Sequence, residues 1–284
     1  MSRFFIFILC VLFVSCEIIN PEEELSSQLY INEIVFDTTQ TTNSFSSKIT
    51  DAWVYFDDEF IGVYPIPSVI PVLKVGTKDI IVNAGIKKNG ISASRVSYPF
   101  YESYNTTKLI SPNNTCTIFP SVNYKINNFQ YEENFEGNGT TLNVLTDSVS
   151  HTIEKIYSNL SDSILGNNYG KISINGQNGE IFECRTNNIS LPKDREVYLE
   201  LDYKSNATFV VGIYANYEQS NSSKSAIIYI NKKENWNKTY LSLSETINYY
   251  GNSVVDYNIF IGMSRDTTLV SNELFIDNLR IVHE

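Results

Sequence analysis

The sequence predicts an all-β protein, a small N-terminal β-sandwich followed by a C-terminal β-jelly-roll sandwich. Three observations predict it. Strand-favouring residues dominate, with 19 Tyr and 16 Phe in 284 residues beside many Ile, Val and Thr. Gly, Asn, Asp and Ser cluster at short intervals, as turns between strands require. Apolar and polar residues alternate in short runs, and stretches at helical spacing are scarce.

The chain opens on a different kind of segment. Phe4 to Val14 is apolar and follows a single Arg3. It is about half the roughly 20 residues that a membrane-spanning helix needs, so residues 1–15 read as an export signal. The run ends in Phe13-Val14-Ser15-Cys16, which resembles the bacterial lipobox, with Phe13 where leucine is usual. The resemblance implies cleavage before Cys16, acylation of Cys16 by palmitate or a similar chain, and attachment to a lipid bilayer. An ordinary cleaved signal with a chance cysteine is the alternative. Residues 16–25 hold an acidic tether, Glu17 to Glu24. It resembles the surface-export signals of Bacteroidota lipoproteins and implies display at the bacterial outer membrane; a plain solvated tether is the alternative.

Residues 26–125 read as one unit. Gln28 to Phe36 predicts a first strand, and Ile49 to Phe56 a second. Asp57-Asp58-Glu59 predicts a tight turn into the return strand Phe60 to Tyr64. Pro65, Pro67 and Pro71 predict a connection that no central strand can contain. Lys78 to Val82 predicts a short strand, with turn chemistry at Gly85, Asn89 and Gly90. Arg95 to Tyr104 is aromatic-rich, and Thr115 to Lys125 closes the unit. Val54 to Ile86, with Gly62, Pro65 and Gly76, resembles small β-sandwich modules of the PEGA or carboxypeptidase-regulatory type. That likeness implies a spacer or docking platform.

Residues 126–284 read as a second unit. The three- and four-residue spacing of Ile153, Ile156 and Leu160 predicts one short helix over 149–160. Strands are predicted at 170–175, 179–186, 196–204, 208–214, 225–231, 239–243, 256–263 and 273–282, a regular series that argues for a sandwich or jelly roll. Phe135-Glu136-Gly137, Tyr169-Gly170-Lys171, Leu201-Asp202-Tyr203-Lys204, Trp236 to Tyr240 and Leu274 to Leu279 resemble, in order and spacing, the galactose-binding-like jelly rolls that include many carbohydrate-binding modules. The resemblance implies a glycan or other surface ligand as partner. It also implies a structural Ca2+ between Glu136 and Asp277, because calcium takes six to eight oxygen ligands and two neighbouring carboxylates would otherwise repel. Two independent surface acids are the alternative.

Other classes of function find little support. A net charge of −11 argues against nucleic acid, which needs a basic footprint. His151 and His283, the only histidines, belong to no metal or triad motif. Nothing singles out two of the 32 acids as a glycosidase pair. Cys116 and Cys184 are expected to be buried free thiols in different units; a bridge between them, which an oxidising exterior would permit, is the alternative. Of the two tryptophans, Trp236 is expected in the core; Trp53 is open between core and a sugar-stacking surface. Tyr203, Tyr214, Tyr217 and Tyr229 lie on or beside strands, and the sequence does not choose which face outward. Asp147-Ser148-Val149 and Asp162-Ser163-Ile164 resemble Bacteroidota O-glycosylation sites. The chain is therefore expected to be a non-enzymatic binding protein or, alternatively, a structural or assembly subunit docking to a surface protein.

Overall fold

The computed structural model describes residues 26–37, 46–125, 129–145, 152–157, 166–177, 179–218 and 221–284. The expected leader, Cys16 and its acidic tether, and both serine triplets, lie outside these residues. Among the described residues no helix is long and apolar enough to cross a membrane.

The N-terminal strands are β1 (Ser27–Ile31), β2 (Val35–Phe36), β3 (Asp51–Phe56), β4 (Glu59–Pro65), β5 (Ser68–Val72), β6 (Gly76–Lys87), β7 (Arg95–Ser97), β8 (Tyr104–Ile110), β9 (Thr115–Ile118) and β10 (Ser121–Val122). They form a sheet ordered β4-β3-β6-β7 with β8 also on β6, a sheet β5-β1-β9, and the pair β10-β2. Leu29, Ile31, Ile70 and Ile118 pack against Val54, Phe56, Ile80 and Val82 in one apolar cluster. The hairpin turn works as the sequence implies. Asp57 (φ 47°) and Asp58 (φ 64°) both adopt the left-handed conformation, which short-chain Asp tolerates and a two-residue hairpin favours.

Three local expectations are corrected here. Residues 28–36 form two strands, because β1 lies between β5 and β9 while β2 leaves to pair with β10. The proline-spaced segment contains a strand, β5. Pro65 and Pro71 sit on β4 and β5, which are edge strands, where a missing N–H costs no ladder bond. Gly85 is not in a turn. It lies inside the 12-residue β6, where an added Cβ would fall 2.8 Å from Asp51 Cβ and 3.0 Å from Trp53 Cδ1.

The C-terminal strands are β11 (Tyr131–Glu133), β12 (Asn143–Val144), β13 (Glu154–Tyr157), β14 (Asn168–Asn175), β15 (Ile181–Arg185), β16 (Val197–Ser205), β17 (Phe209–Tyr217), β18 (Ser222–Ile230), β19 (Lys233–Ser242), β20 (Val254–Ser264) and β21 (Ser271–His283). A helix, α1 (Ser244–Tyr250), joins β19 to β20 through a 3-10 turn. Two antiparallel sheets stack face to face. The first is β13-β14-β21-β16-β19, with β11 also on β21; the second is β12-β15-β20-β17-β18. Ile172, Leu199, Leu201, Leu274 and Ile276 of the first sheet meet Phe182, Phe209, Val211, Ile213 and Ile261 of the second. Cys116 is half-buried, Cys184 is buried, and both are free.

The helix expected over 149–160 is overturned where the chain is described. Residues 154–157 are β13, with Glu154 opposite Lys171 and Tyr157 opposite Asn168 on β14. Tertiary pairing outweighed a weak helical spacing. The structure also holds a helix that the sequence reading missed. Ile247 is the one buried residue of α1, too little periodicity to register.

The N-terminal strands dock on the outer face of the first jelly-roll sheet. Their apolar cluster includes Tyr198, Tyr240 and Val282 from β16, β19 and β21. Glu200 is fully buried at the centre of this contact. Tyr98 donates to its Oε1 (2.6 Å), Tyr124 donates to its Oε2 (2.6 Å), and Lys238 Nζ lies 2.8 Å from the same oxygen. Burial pushes the Glu200 carboxyl up, but the Lys238 ammonium and the donated hydroxyls outweigh it and hold it below the ordinary carboxylate value. Around this centre, Tyr101 and Tyr240 share a hydrogen bond of 2.9 Å, and Ser46 donates to Asp202. The turn at Asn89 also covers the edge of β19: Asn89 N donates to Tyr240 O, and Ser242 N donates to Asn89 Oδ1, both at 2.8 Å. An open strand edge is thereby closed against stray pairing.

Candidate functional site

The period of two along a strand divides its side chains between core and surface. On β17, Phe209, Val211, Ile213 and Ala215 enter the core, so Val210, Gly212, Tyr214 and Asn216 face outward. On β20, Tyr257, Ile259, Ile261 and Met263 point inward, leaving Asn258, Phe260 and Gly262 on the outer face, where neighbouring side chains cover them and all three are buried. The same division puts Glu183 and Arg185 of β15 on the outer face. Strand register then aligns these residues into rows. Tyr229, Val210, Gly262 and Glu183 form one; Ala226, Gly212, Phe260 and Arg185 form the next; Lys224, Tyr214 and Asn258 follow.

This outer face has aromatic, charged and amide zones. Tyr229 is 70% exposed and free to stack on a ligand ring. Phe260 lies flat over Gly212: an added Cβ there would sit 2.3 Å from the ring and 2.4 Å from Ser225 O. Tyr214 packs edge-on against Phe260 at 5.4 Å, and the Lys224 ammonium sits 4.6 Å above the Phe260 ring. Glu183 accepts from both Tyr214 and Lys224. Burial and the Glu183 carboxylate raise the Tyr214 hydroxyl above its ordinary value. Burial pulls Lys224 down, yet Glu183 and Tyr214 hold it above its ordinary value. Both groups thus keep their protons at neutral pH. At the far end Asn216 Nδ2 donates to Asp256 (2.7 Å) and Asn258 (2.8 Å), and Asn188 Nδ2 donates to Asp256 (2.9 Å). At the near end Tyr229, Val210, Gly262 and Arg265 line an open cavity of about 260 Å3. Three inter-strand steps from Glu183 to Tyr229 span roughly 14 Å, room for a short saccharide.

The glycine at 212 is sterically required. Gly212→Ala is expected to lower stability by about 1–3 kcal/mol through overpacking, because backbone Ser225 O cannot swing aside. A urea midpoint shift corresponding to less than a few tenths of that would show that the face relaxes.

The residues expected from sequence are placed as follows. Tyr203 is buried in the core; Tyr217 packs partly against it; Tyr214 and Tyr229 face outward together. Trp236 is corrected: it is half-buried on β19, edge-on to Tyr169 at 5.3 Å, because its alternation puts it on the outer face with Lys238 and Tyr240. Trp53 is also half-buried and outward.

Glu136 lies in the loop after β11, not on the first strand, and is exposed. It accepts from Asn167 N (2.7 Å), Asn168 N (3.0 Å) and Asn168 Nδ2 (2.9 Å). Asp277 is fully buried on β21, opposite Asp202, at a register shift. Its Oδ1 accepts from Asn278 N (2.7 Å), whereas Oδ2 is buried with no hydrogen bond, as is Asn168 Oδ1. Burial pushes Asp277 up to about 9, and the charges of Asp202 and Glu136 add to the shift. The first and last strands are neighbours, with Glu133 opposite Leu279. Two unpaired oxygens beside a carboxylate suit a hard cation in kind. Among the described residues, however, no three His, Cys, Asp or Glu side chains gather as a metal cluster, so amide, backbone or water oxygens would complete such a site.

Sequence reasoning missed Glu183, Arg185, Asn216, Lys224, Asp256 and Phe260. Alternation marks each as outward, but strand order brings them together.

No family model matches the chain, and no curated protein matches it either. Several solved structures match the chain at low similarity. The enzymatically active domain of bacteriophage CBA120 tailspike protein 4 has a TM-score of 0.41 and 14% identity over 54% of this chain and 20% of that one. The CBM22-1–GH10 modules of Clostridium thermocellum endo-1,4-beta-D-xylanase 10B, complexed with xylohexaose, give 0.42 and 13% over 56% of this chain and 29% of that one. A carbohydrate-binding module of the beta-sandwich superfamily, described for promiscuous specificity, gives 0.40 and 12% over 92% of this chain and all of that one. This chain thus spans well under two thirds of the first two. Scores at this level transfer no ligand to it.

Proposed function

We propose that this chain is a non-enzymatic, lipid-anchored protein of the bacterial outer membrane that binds a glycan on the outer face of its second jelly-roll sheet. One observation carries the binding reading: an exposed tyrosine and a set of amides and acids share one outer face across four adjacent strands. Sugar rings present apolar C–H faces that an aromatic ring covers, and hydroxyls that amides and carboxylates bond. The anchoring part rests on the apolar run and Phe13-Val14-Ser15-Cys16. We further propose a structural calcium ion held by Glu136 and Asp277 with the Asn168 oxygen; its role would be to pin the chain's last strand, not to react.

A glycan array with the purified full chain tests the binding. Tyr229→Ala is expected to weaken the best glycan about tenfold, or about 1.4 kcal/mol, and Asn216→Ala to weaken it similarly. Silence across neutral and acidic glycans, or unchanged affinity in both variants, would remove the reading. The anchor is tested by the mass of the mature N-terminus. An acylated Cys16 is expected; a chain still beginning at Met1 would defeat it.

A further inference from the structure

The outer face of the N-terminal sheet holds a second constellation, on a separate sheet from the groove above. On β3, Ala52, Val54 and Phe56 are buried, so Trp53 and Tyr55 face outward. On β6, Ile80, Val82 and Ala84 are buried, so Asp79, Ile81 and Asn83 share that outer face. Register sets Trp53 opposite Asn83 and Tyr55 opposite Ile81. Phe60 of β4 stands opposite Tyr55 and is 49% exposed. Its ring centroid lies 5.7 Å from Trp53 and 5.2 Å from Tyr55. Past Ile81 the face opens into a cavity of about 520 Å3, lined by Asp57, Asp58, Asp79, Asn105 and Thr107.

Two polar atoms in this patch are unsatisfied. Trp53 Nε1 and Asn83 Oδ1 are both buried and make no hydrogen bond among the described residues. One is a donor and the other an acceptor, on residues whose Cβ atoms stand about 5 Å apart across the ladder. Leaving either unpaired is unfavourable. A hydroxyl answers both, since it accepts from the indole N–H and donates to the amide oxygen. The cavity beside them restricts the ligand's charge. Its three carboxylates accept hydrogen bonds only; Lys78 lies 2.6 Å from Asp57, and Lys74, paired with Glu59, also acts on Asp57, so with Glu59 counted the four acids still outnumber the two ammoniums. Hydroxyl donors suit this lining, and a carboxylated or sulfated sugar would be repelled.

We propose that this face is a binding site for a neutral saccharide. The sugar's apolar face lies on Phe60 and Tyr55 and its hydroxyls reach the acid-lined cavity; Trp53 Nε1 and Asn83 Oδ1, buried in the unliganded face, become partners for a hydroxyl only as their side chains shift on binding. The site belongs to the N-terminal sheet and stands or falls separately from the jelly-roll groove.

The chain has two tryptophans, so Trp236→Phe leaves Trp53 as the sole indole reporter. The full chain carrying Trp236→Phe is titrated with cellohexaose, xylohexaose and mannohexaose, and with oligogalacturonate as the acidic probe. A saturable shift of Trp53 emission with a neutral oligosaccharide is expected. It should weaken about tenfold or more in Asn83→Ala and in Phe60→Ala, the second being a surface change that the fold tolerates. It should persist in Tyr229→Ala. Emission that stays flat at millimolar neutral sugar overturns the proposal. So does equal affinity for oligogalacturonate, or unchanged affinity in Asn83→Ala and Phe60→Ala. A response lost in Tyr229→Ala but kept in those two would overturn this site while sparing the jelly-roll reading.

Discussion

Glu200→Ala is expected to cost about 3–5 kcal/mol of stability, the loss typical when one member of a buried ion pair is removed. Glu200 has no solvent exposure, and Lys238 retains 5%. Removal of the carboxylate strands that ammonium and leaves the Tyr98 and Tyr124 hydroxyls without their acceptor. The double variant Glu200→Gln with Lys238→Met should recover most of the loss, since it removes both charges and keeps an acceptor. Urea unfolding of the single and double variants measures this; a single-variant loss under about 1 kcal/mol would mean that the pair behaves as a surface pair. The same carboxyl predicts a pH dependence. Its folded value is held below the unfolded one, so its contribution is complete above the ordinary carboxylate range and disappears as pH falls through the folded value. Stability should therefore drop on acidification below about pH 4, and Glu200→Gln should flatten that drop.

Calcium added to EDTA-stripped protein is expected to raise stability by about 2.7 kcal/mol at a hundredfold excess over its Kd. The physical reason is local. Asp277 is buried with one oxygen unpaired, and Asp202 stands opposite it on β16. A cation would offset both the desolvation and the repulsion. Magnesium should help less, because it demands a small octahedral shell and gives up water reluctantly. Asp277→Asn should abolish the calcium response, and Glu136→Gln should reduce it. Thermal midpoints in EDTA, calcium and magnesium decide the matter. Identical midpoints in all three would eliminate the ion and leave Asp277 a buried acid held neutral.

Several parts of this architecture were legible along the chain. The Asp57-Asp58 turn could be read because Asp tolerates positive φ between alternating runs. The jelly-roll strands could be read because their core residues recur every second position, as at Val197, Leu199, Leu201 and Tyr203 of β16 and at Phe209, Val211, Ile213 and Ala215 of β17. The candidate groove was less legible. Tyr214 and Tyr229 were on the page as outward candidates, but Glu183, Lys224 and Phe260 are 31 residues or more from Tyr214 or meet it only through β20 and β18. The docking contact escaped altogether, since Glu200 reads as one more polar residue of β16 beside Asp202 and Lys204, and its partners Tyr98 and Tyr124 lie 102 and 76 residues away.

By itself the sequence determined that the chain folds as strands, where most of them turn, and which side of each strand is greasy. Those are local properties, set by side-chain shape, by alternation and by residues that accept left-handed backbone. Only the tertiary structure decided which strands lie side by side. That choice rests on long-range pairing and burial, and it alone brings Tyr229 into line with Glu183, sets Trp53 across from Asn83, and shuts Glu200 away from water.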